Sequence, residues 1–451
     1  MPKTSNPIHL LLVLLVINAA AVSALAQVEP EAEGGPVAHD DTQMLTPPPV
    51  SAMLYPAVAG AEERTNYLAS SLVVDVAHVN NILPTFGGGP VTDTVYSFMP
   101  KALLDRTTSR QQISAAYNPA FTFYEPTSVL DTVDQTAALS YQNHPTPYSA
   151  IVAQDFFSRT ADVFDGSFPF SAGGLTGTAQ APSPAVIAPF AEQLTNNADV
   201  NMAYQFGRNA MAGVGGNYSL FNLPNPALAL GLYNSNGGGG SAFYDHRFAR
   251  THYAGISYDY SRIWAGPGNG QVETQLHSIL PFYTLYLSRT FSFSISAGTQ
   301  RLGETQPQQP ASNSWSPAGV VSMGWQGERG VISASYLHTI ITGGGLVGAF
   351  NSDSVHGAGA WTFLRTWVAH AAVAYSSITA TAPLVGIAYQ GGNLLAASGS
   401  VTYDVSEHFT LEGGYERLHE NYGGIAVIVQ DPDSNRVFLT ASYRFERLLG
   451  R

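Results

Sequence analysis

Long stretches of this chain alternate apolar and small polar residues with a period of two. In 291–298, Phe291, Phe293, Ile295 and Ala297 share one face, and Ser292, Ser294, Ser296 and Gly298 the other. In 437–445, Val437, Leu439, Ala441, Tyr443 and Phe445 oppose Phe438, Thr440, Ser442 and Arg444. Ala254, Ile256, Tyr258 and Tyr260 oppose Gly255, Ser257, Asp259 and Ser261 in the same way. Strands covered differently on their two faces produce this repeat, and helices do not. The segments run about 10–16 residues, against about 5–6 for an ordinary globular strand, and that length suits a tilted membrane crossing.

The two faces differ as a membrane would require. One is mostly Ser, Thr, Gly and Gln with scattered charges, which fits a wet interior. The other often ends in large aromatics, such as Tyr258, Tyr260 and Trp264, or Trp361 and Trp367, as interfacial girdles do. Charged residues make up 11% of the chain, where a soluble domain uses about 25%. Something other than water must therefore cover part of the surface.

The connections fall into two alternating kinds. Tight turns lie near 105–107, 143–147, 206–208, 248–250, 288–290, 327–329, 365 and 406–407. Longer Gly-, Asn- and Pro-rich links lie at 80–90, 125–130, 161–195, 223–239, 265–270, 303–314, 342–350, 379–392 and 421–434. Short turns on one side and long loops on the other are the asymmetry of outer-membrane barrels. The expected fold is all-β: a closed antiparallel transmembrane β-barrel of about 18 strands, with short periplasmic turns and long Gly-rich outer loops. A count of 16 also fits, because Pro100 interrupts the second segment. Closure follows because an open sheet edge in lipid leaves backbone groups unsatisfied.

Residues 1–26 read as a cleaved secretory signal. Lys3 begins it, an apolar stretch runs from Leu10 to Val22, and Ala24-Leu25-Ala26 forms the cleavage site. Residues 27–64 are rich in Pro, Glu and Ala and read as a disordered periplasmic segment. The barrel is expected over 65–446, with a short C-terminal extension at 447–451.

The final segment, from Arg436 to Phe445, is similar to the terminal strand that outer-membrane assembly machinery recognises, although Glu446 to Arg451 follow it. The wider chain, through Leu72–Asn81, Thr94–Pro100 and Tyr117–Tyr124, resembles outer-membrane β-barrel porins associated with exopolysaccharide secretion. The resemblance implies a bacterial outer-membrane channel, with outer-membrane lipids, the barrel assembly machinery and polysaccharide as partners.

Little in the sequence points to catalysis. There is no cysteine, which excludes disulfides and thiolate chemistry. The histidines, His338 and His370 among them, show no metal-ligand spacing. Gly399-Ser400-Val401 lies in a strand and no nucleophile elbow occurs. The runs 87–89, 237–240 and 343–345 lack the helix start and Lys-Ser/Thr of a phosphate loop and read as loop tips. No catalytic residue, metal or cofactor is expected. The net charge of −13 argues against a nucleic-acid partner.

The expected function is a porin-like channel for small hydrophilic solutes or saccharides. A structural or binding barrel acting through its outer loops is the alternative, and a barrel lipid hydrolase a weaker one. The pattern puts Asp259, Asp404, Glu412, Glu416 and Arg444 on the inner face as candidate pore-lining residues, because charge on the lipid face is costly. These residues either set charge selectivity or are satisfied by pairing across neighbouring strands, with Arg444 as the obvious partner of the two glutamates. The longest link, 161–195, with Asp162, Asp165 and Glu192, is the candidate constriction loop.

Overall fold

The computed structural model describes residues 44, 66–80, 91–125, 127–161, 192–225, 232–266, 271–288, 290–306, 310–343, 345–381, 391–423 and 433–448. The signal and almost all of the 27–64 segment lie outside these residues. The strands are β1 (Tyr67–Asn80), β2 (Asp93–Thr107), β3 (Gln111–Glu125), β4 (Thr132–Thr146), β5 (Ser149–Thr160) and β6 (Gln193–Gly207). They continue with β7 (Ala210–Asn222), β8 (Ser235–Ala249), β9 (His252–Ala265), β10 (Val272–Tyr286), β11 (Phe291–Thr305) and β12 (Ser312–Gly327). The last are β13 (Gly330–Gly343), β14 (Leu346–Leu364), β15 (Trp367–Ala380), β16 (Gly391–Asp404), β17 (Phe409–Gly423) and β18 (Asp433–Leu448).

Each strand pairs antiparallel with its neighbours in sequence, and β1 pairs with β18, so 18 strands close into one ring. Both ends of the ring-forming chain lie on the tight-turn side, where Tyr67 faces Leu448 and Asp105. The proline-containing second segment is a full strand. The β2–β3 ladder breaks between Phe98↔Phe121 and Ala102↔Tyr117. In that register Pro100 meets Pro119, and neither has an N–H to give.

Burial separates the two faces. In β11, Ser292, Ser296, Gln300, Leu302 and Glu304 are buried, while Ile295, Ala297, Thr299 and Arg301 are exposed. The Gln300 side chain reaches Thr339 and Ile340 in β13. That contact skips β12, so the buried face points inward. The outward face carries isolated large apolar residues throughout, including Val76, Met202, Ile256, Ile332, Val373 and Leu439. Beside the tight turns it carries aromatic pairs: Phe206 with Tyr244, Trp325 stacked on Trp361 and Trp367 stacked on Tyr403. Towards the loop end the outward positions turn polar, with the cross-strand pairs Arg262–Glu273, His338–Asp353 and Arg417–Asp433.

Three boundaries differ from the sequence reading. The link expected at 342–350 is a tight hairpin in which Gly343 pairs with Leu346. Gly237–Gly240 are not a loop tip but lie inside β8, opposite Ser219–Gly216 of β7. The C-terminal extension begins later than 447, because β18 continues past Phe445 with Glu446, Arg447 and Leu448 paired to Ala69, Leu68 and Tyr67. The run 87–89 lies outside the described residues.

Candidate functional site: the barrel lumen

The inner face is built by strand parity. A residue directly opposite an inward residue on the next strand also points inward, so register carries the assignment around the ring. All five sequence-predicted lining residues occupy inward positions. Asp259 lies in mid-β9, where the Ser257 hydroxyl donates to its Oδ2 at 3.3 Å. Asp404 closes β16, and its N–H donates to Thr366 O at 2.8 Å. Glu412 and Glu416 are both buried on β17. Arg444 lies near the end of β18 with its guanidinium 5.9 Å from the ring centre of Tyr67.

The partner of Glu416 is Arg436, not Arg444. Glu416 and Arg436 stand opposite each other in the β17–β18 ladder. Arg436 Nη1 lies 3.1 Å from Glu416 Oε2 and Nη2 lies 2.6 Å from Asp75 Oδ2. The Thr440 hydroxyl donates to Asp75 Oδ1 at 2.6 Å. One guanidinium thus joins the first strand to the last two across the closing seam. Alternation assigns Arg436 to the inner face, but the stagger of β17 on β18 decides which arginine meets which glutamate. Alternation does not fix that stagger.

The inner face is strongly acidic. In β1, β2, β4 and β6 the inward acids are Asp75, Asp93, Asp105, Asp134 and Asp199. In β8, β9 and β11 they are Asp245, Asp259 and Glu304, and in β16 and β17 Asp404, Glu412, Glu416 and Glu420. Lys101, Arg247, Arg436 and Arg444 are the basic residues on inward positions among the described side chains, giving twelve acids to four bases.

The two ends of the lumen are not bare walls. At the loop end, Phe221 of β7 and Leu223 and Leu232 of the link after it form one buried cluster with Leu346, Phe350, Ile378, Leu394 and Leu418 of β14–β17. The same cluster includes Ala77, Val79 and Val95 of β1 and β2. These strands lie on opposite sides of the ring, so the cluster crosses the lumen, where the sequence reading expected a polar interior. Leu346–Phe350 are buried at five successive positions, which a wall strand with one lipid face cannot achieve. The tip of the β13–β14 hairpin has folded inside. The backbone N–H of Tyr233 donates to Gly345 O at 2.9 Å, fastening the β7–β8 link to it. Gly345 has φ +91°, and a Cβ there would press on Phe221 and Leu232, so both the turn and the fit call for glycine.

At the tight-turn end, Met44 sits against the inner wall. It packs on Met211 and Tyr253, and its N–H donates to Gln205 Oε1 at 2.9 Å. The Gln205 amide also donates to Gly207 O at 3.0 Å. Met44 falls within the segment read as disordered, and nothing periodic around it marked it out.

Residues 162–191 of the expected constriction loop, Asp162 and Asp165 among them, lie outside the described residues. Glu192 pairs with Arg159, whose register position faces outward. His338 also faces outward, 2.9 Å from Asp353, and His370 faces inward opposite Ser400. Among the described residues no group of three or more His, Asp or Glu is placed to hold a metal ion.

No protein-family model and no curated protein matches the chain. Solved structures with a detectable likeness include the Pseudomonas aeruginosa protein OccK2 (OpdF), 12% identical over 85% of this chain and 98% of that one, TM-score 0.40. The outer membrane protein OpdK from the same organism is 10% identical over 84% of this chain and 99% of that one, TM-score 0.39. The unliganded ferric citrate transporter FecA is 8% identical over 87% of this chain and 82% of that one, TM-score 0.42. The barrel assignment rests on the strand pairing, which closes all 18 strands antiparallel into a single ring.

Proposed function

We propose that this chain is a channel of the bacterial outer membrane, passing small hydrophilic solutes and favouring cations. The observation that carries this reading is the threefold acidic excess of the inward-facing residues. Acidic linings draw cations and repel anions, and rings of about 16–18 strands are wide enough to hold an aqueous path. The folded-in hairpin tip sets the width at the loop end. No covalent step is involved.

Planar-bilayer recording under a salt gradient tests this. The reversal potential is expected to have the sign of cation selectivity, and Asp404→Asn with Glu412→Gln is expected to move it towards zero. A folded protein with anion selectivity overturns the proposed lining, and one without conductance overturns the channel. Passage of saccharides, the finer expectation from the resemblance, is read in the same recordings as block by added oligosaccharides. The tie to polysaccharide export is tested separately, by polymer secretion in a strain lacking the gene.

A further inference from the structure

The wall of the barrel is split at its loop end. β12 and β13 pair from Gly327/Gly330 up to Gly319/His338 and no further, although β12 stays paired to β11 as far as Ser312. β13 stays paired to β14 as far as Gly343. The next β12 position but one is Pro317, which the continued register would set opposite Ile340 and which has no N–H to give. Ile340 instead donates its N–H to the side chain of Gln300, at 2.9 Å.

Gln300 is built as a latch. It is 3% exposed, and its amide donates to Thr339 Oγ1 at 2.7 Å and to Ser278 Oγ at 3.0 Å. Beside it Ile340 and Ala349 pack on Leu302 and Leu276, so the hairpin's outward-parity side chains cover the inner wall. Ser316 of β12 lies 3.3 Å from Asn351 of β14, a contact across the place that β13 has left. β14 remains tied to β15, with Thr381 N–H donating to Ala349 O at 3.0 Å.

We propose that the β13–β14 hairpin is a two-position gate. In one position it is folded into the lumen and latched by Gln300; in the other its β13 edge zips onto Ser314–Ala318 of β12, completing the wall and clearing the loop end of the lumen. The Ile340 N–H has an acceptor in each position, Gln300 Oε1 when the hairpin is folded in and the Pro317 carbonyl when it is zipped, and that makes two discrete arrangements available. The gate rests on the channel reading.

The chain has no cysteine, so paired cysteines can lock each position. Leu302→Cys with Ile340→Cys captures the folded-in contact. Ser316→Cys with Ile341→Cys captures the zipped ladder, since those positions are opposed only if the register of Gly319 and His338 continues. Both disulfides are expected to form in protein that keeps its heat-modifiable migration on gels. The first, oxidised, should hold conductance at least twofold below the second, and reduction should bring the two together. Pro317→Val, which restores an N–H to β12, should raise the zipped fraction several-fold, and so should Gln300→Ala. Failure of the second pair to cross-link while the first does so completely overturns the gate, as does equal conductance of the two locked forms. Absence of conductance in every form overturns the channel reading instead, and cross-linking alone then decides whether the hairpin has two positions.

Discussion

Arg436 carries more of the ring's closure than any hydrophobic contact at the seam suggests. Its two carboxylate partners, Asp75 and Glu416, have side chains 2% and 8% exposed, so neither has water to fall back on. Breaking a buried pair by removing one partner costs about 3–5 kcal/mol, because a charge is stranded. Arg436→Ala is therefore expected to lower stability by about that amount in urea unfolding from detergent or liposomes. Asp75→Asn and Glu416→Gln combined with Arg436→Met should recover most of the loss, since no charge is left stranded. A single substitution without effect would mean that the triad is solvated. Met44 makes a second residue-scale prediction. Introduced as Met44→Cys, it should react slowly with an impermeant maleimide, and at least tenfold faster when Gln205→Ala removes the acceptor of its N–H. Inner-face membership was legible at this scale, as Glu412, Glu416 and Asp404 demonstrate. Partnership was not, because parity survives any stagger of two residues whereas an ion pair does not.

At the scale of elements, the tight turns were readable to within about three residues, because Gly, Asn and charged residues interrupt the alternation there. The turn between β12 and β13 also has a packing reason for its two glycines. A Cβ on Gly330 would lie 2.5 Å from the Trp361 ring, and one on Gly327 would lie 2.5 Å from the Trp325 ring. The two indoles cover bare backbone and stack on each other at 5.9 Å, an aromatic rescue of strand-end glycine. Gly330→Val is expected to displace Trp361 and cost about 1–3 kcal/mol as overpacking, seen as a shift in tryptophan emission and a lower urea midpoint. An unchanged spectrum and midpoint would mean that the added side chain fits without displacing the ring. The hairpin tip was misread for a related reason. Leu346-Val347-Gly348-Ala349-Phe350 does not alternate, since both of its faces are buried, and a period-two reading treats such a run as loop.

The whole molecule is organised by depth. Along the outside, aromatic pairs mark the tight-turn end, an apolar band follows, and paired charges such as Arg417–Asp433 mark the loop end. One polar pair interrupts the band, in which Asn196 donates to Asp155 Oδ1 at 2.8 Å on the outward face. A soluble barrel has no reason to sort its surface by height. If lipid is the cause, the cost of an outward charge must depend on depth, at about 2–4 kcal/mol for arginine near the midplane and about 0–1 near the interface. Leu439 and Phe248 allow the comparison, being outward-facing and 61% and 69% exposed. The first lies mid-strand between Gly413 and Val76, and the second beside a tight turn. Leu439→Arg should therefore lower the unfolding free energy in liposomes by at least about 2 kcal/mol, and Phe248→Arg by less than about 1 beyond its lost packing. In detergent the gap should narrow, because a micelle deforms around a charge more readily than a bilayer does. Equal costs in liposomes would mean that the apolar band does not sit in hydrocarbon. The membrane assignment would then fail even with the ring of 18 strands intact.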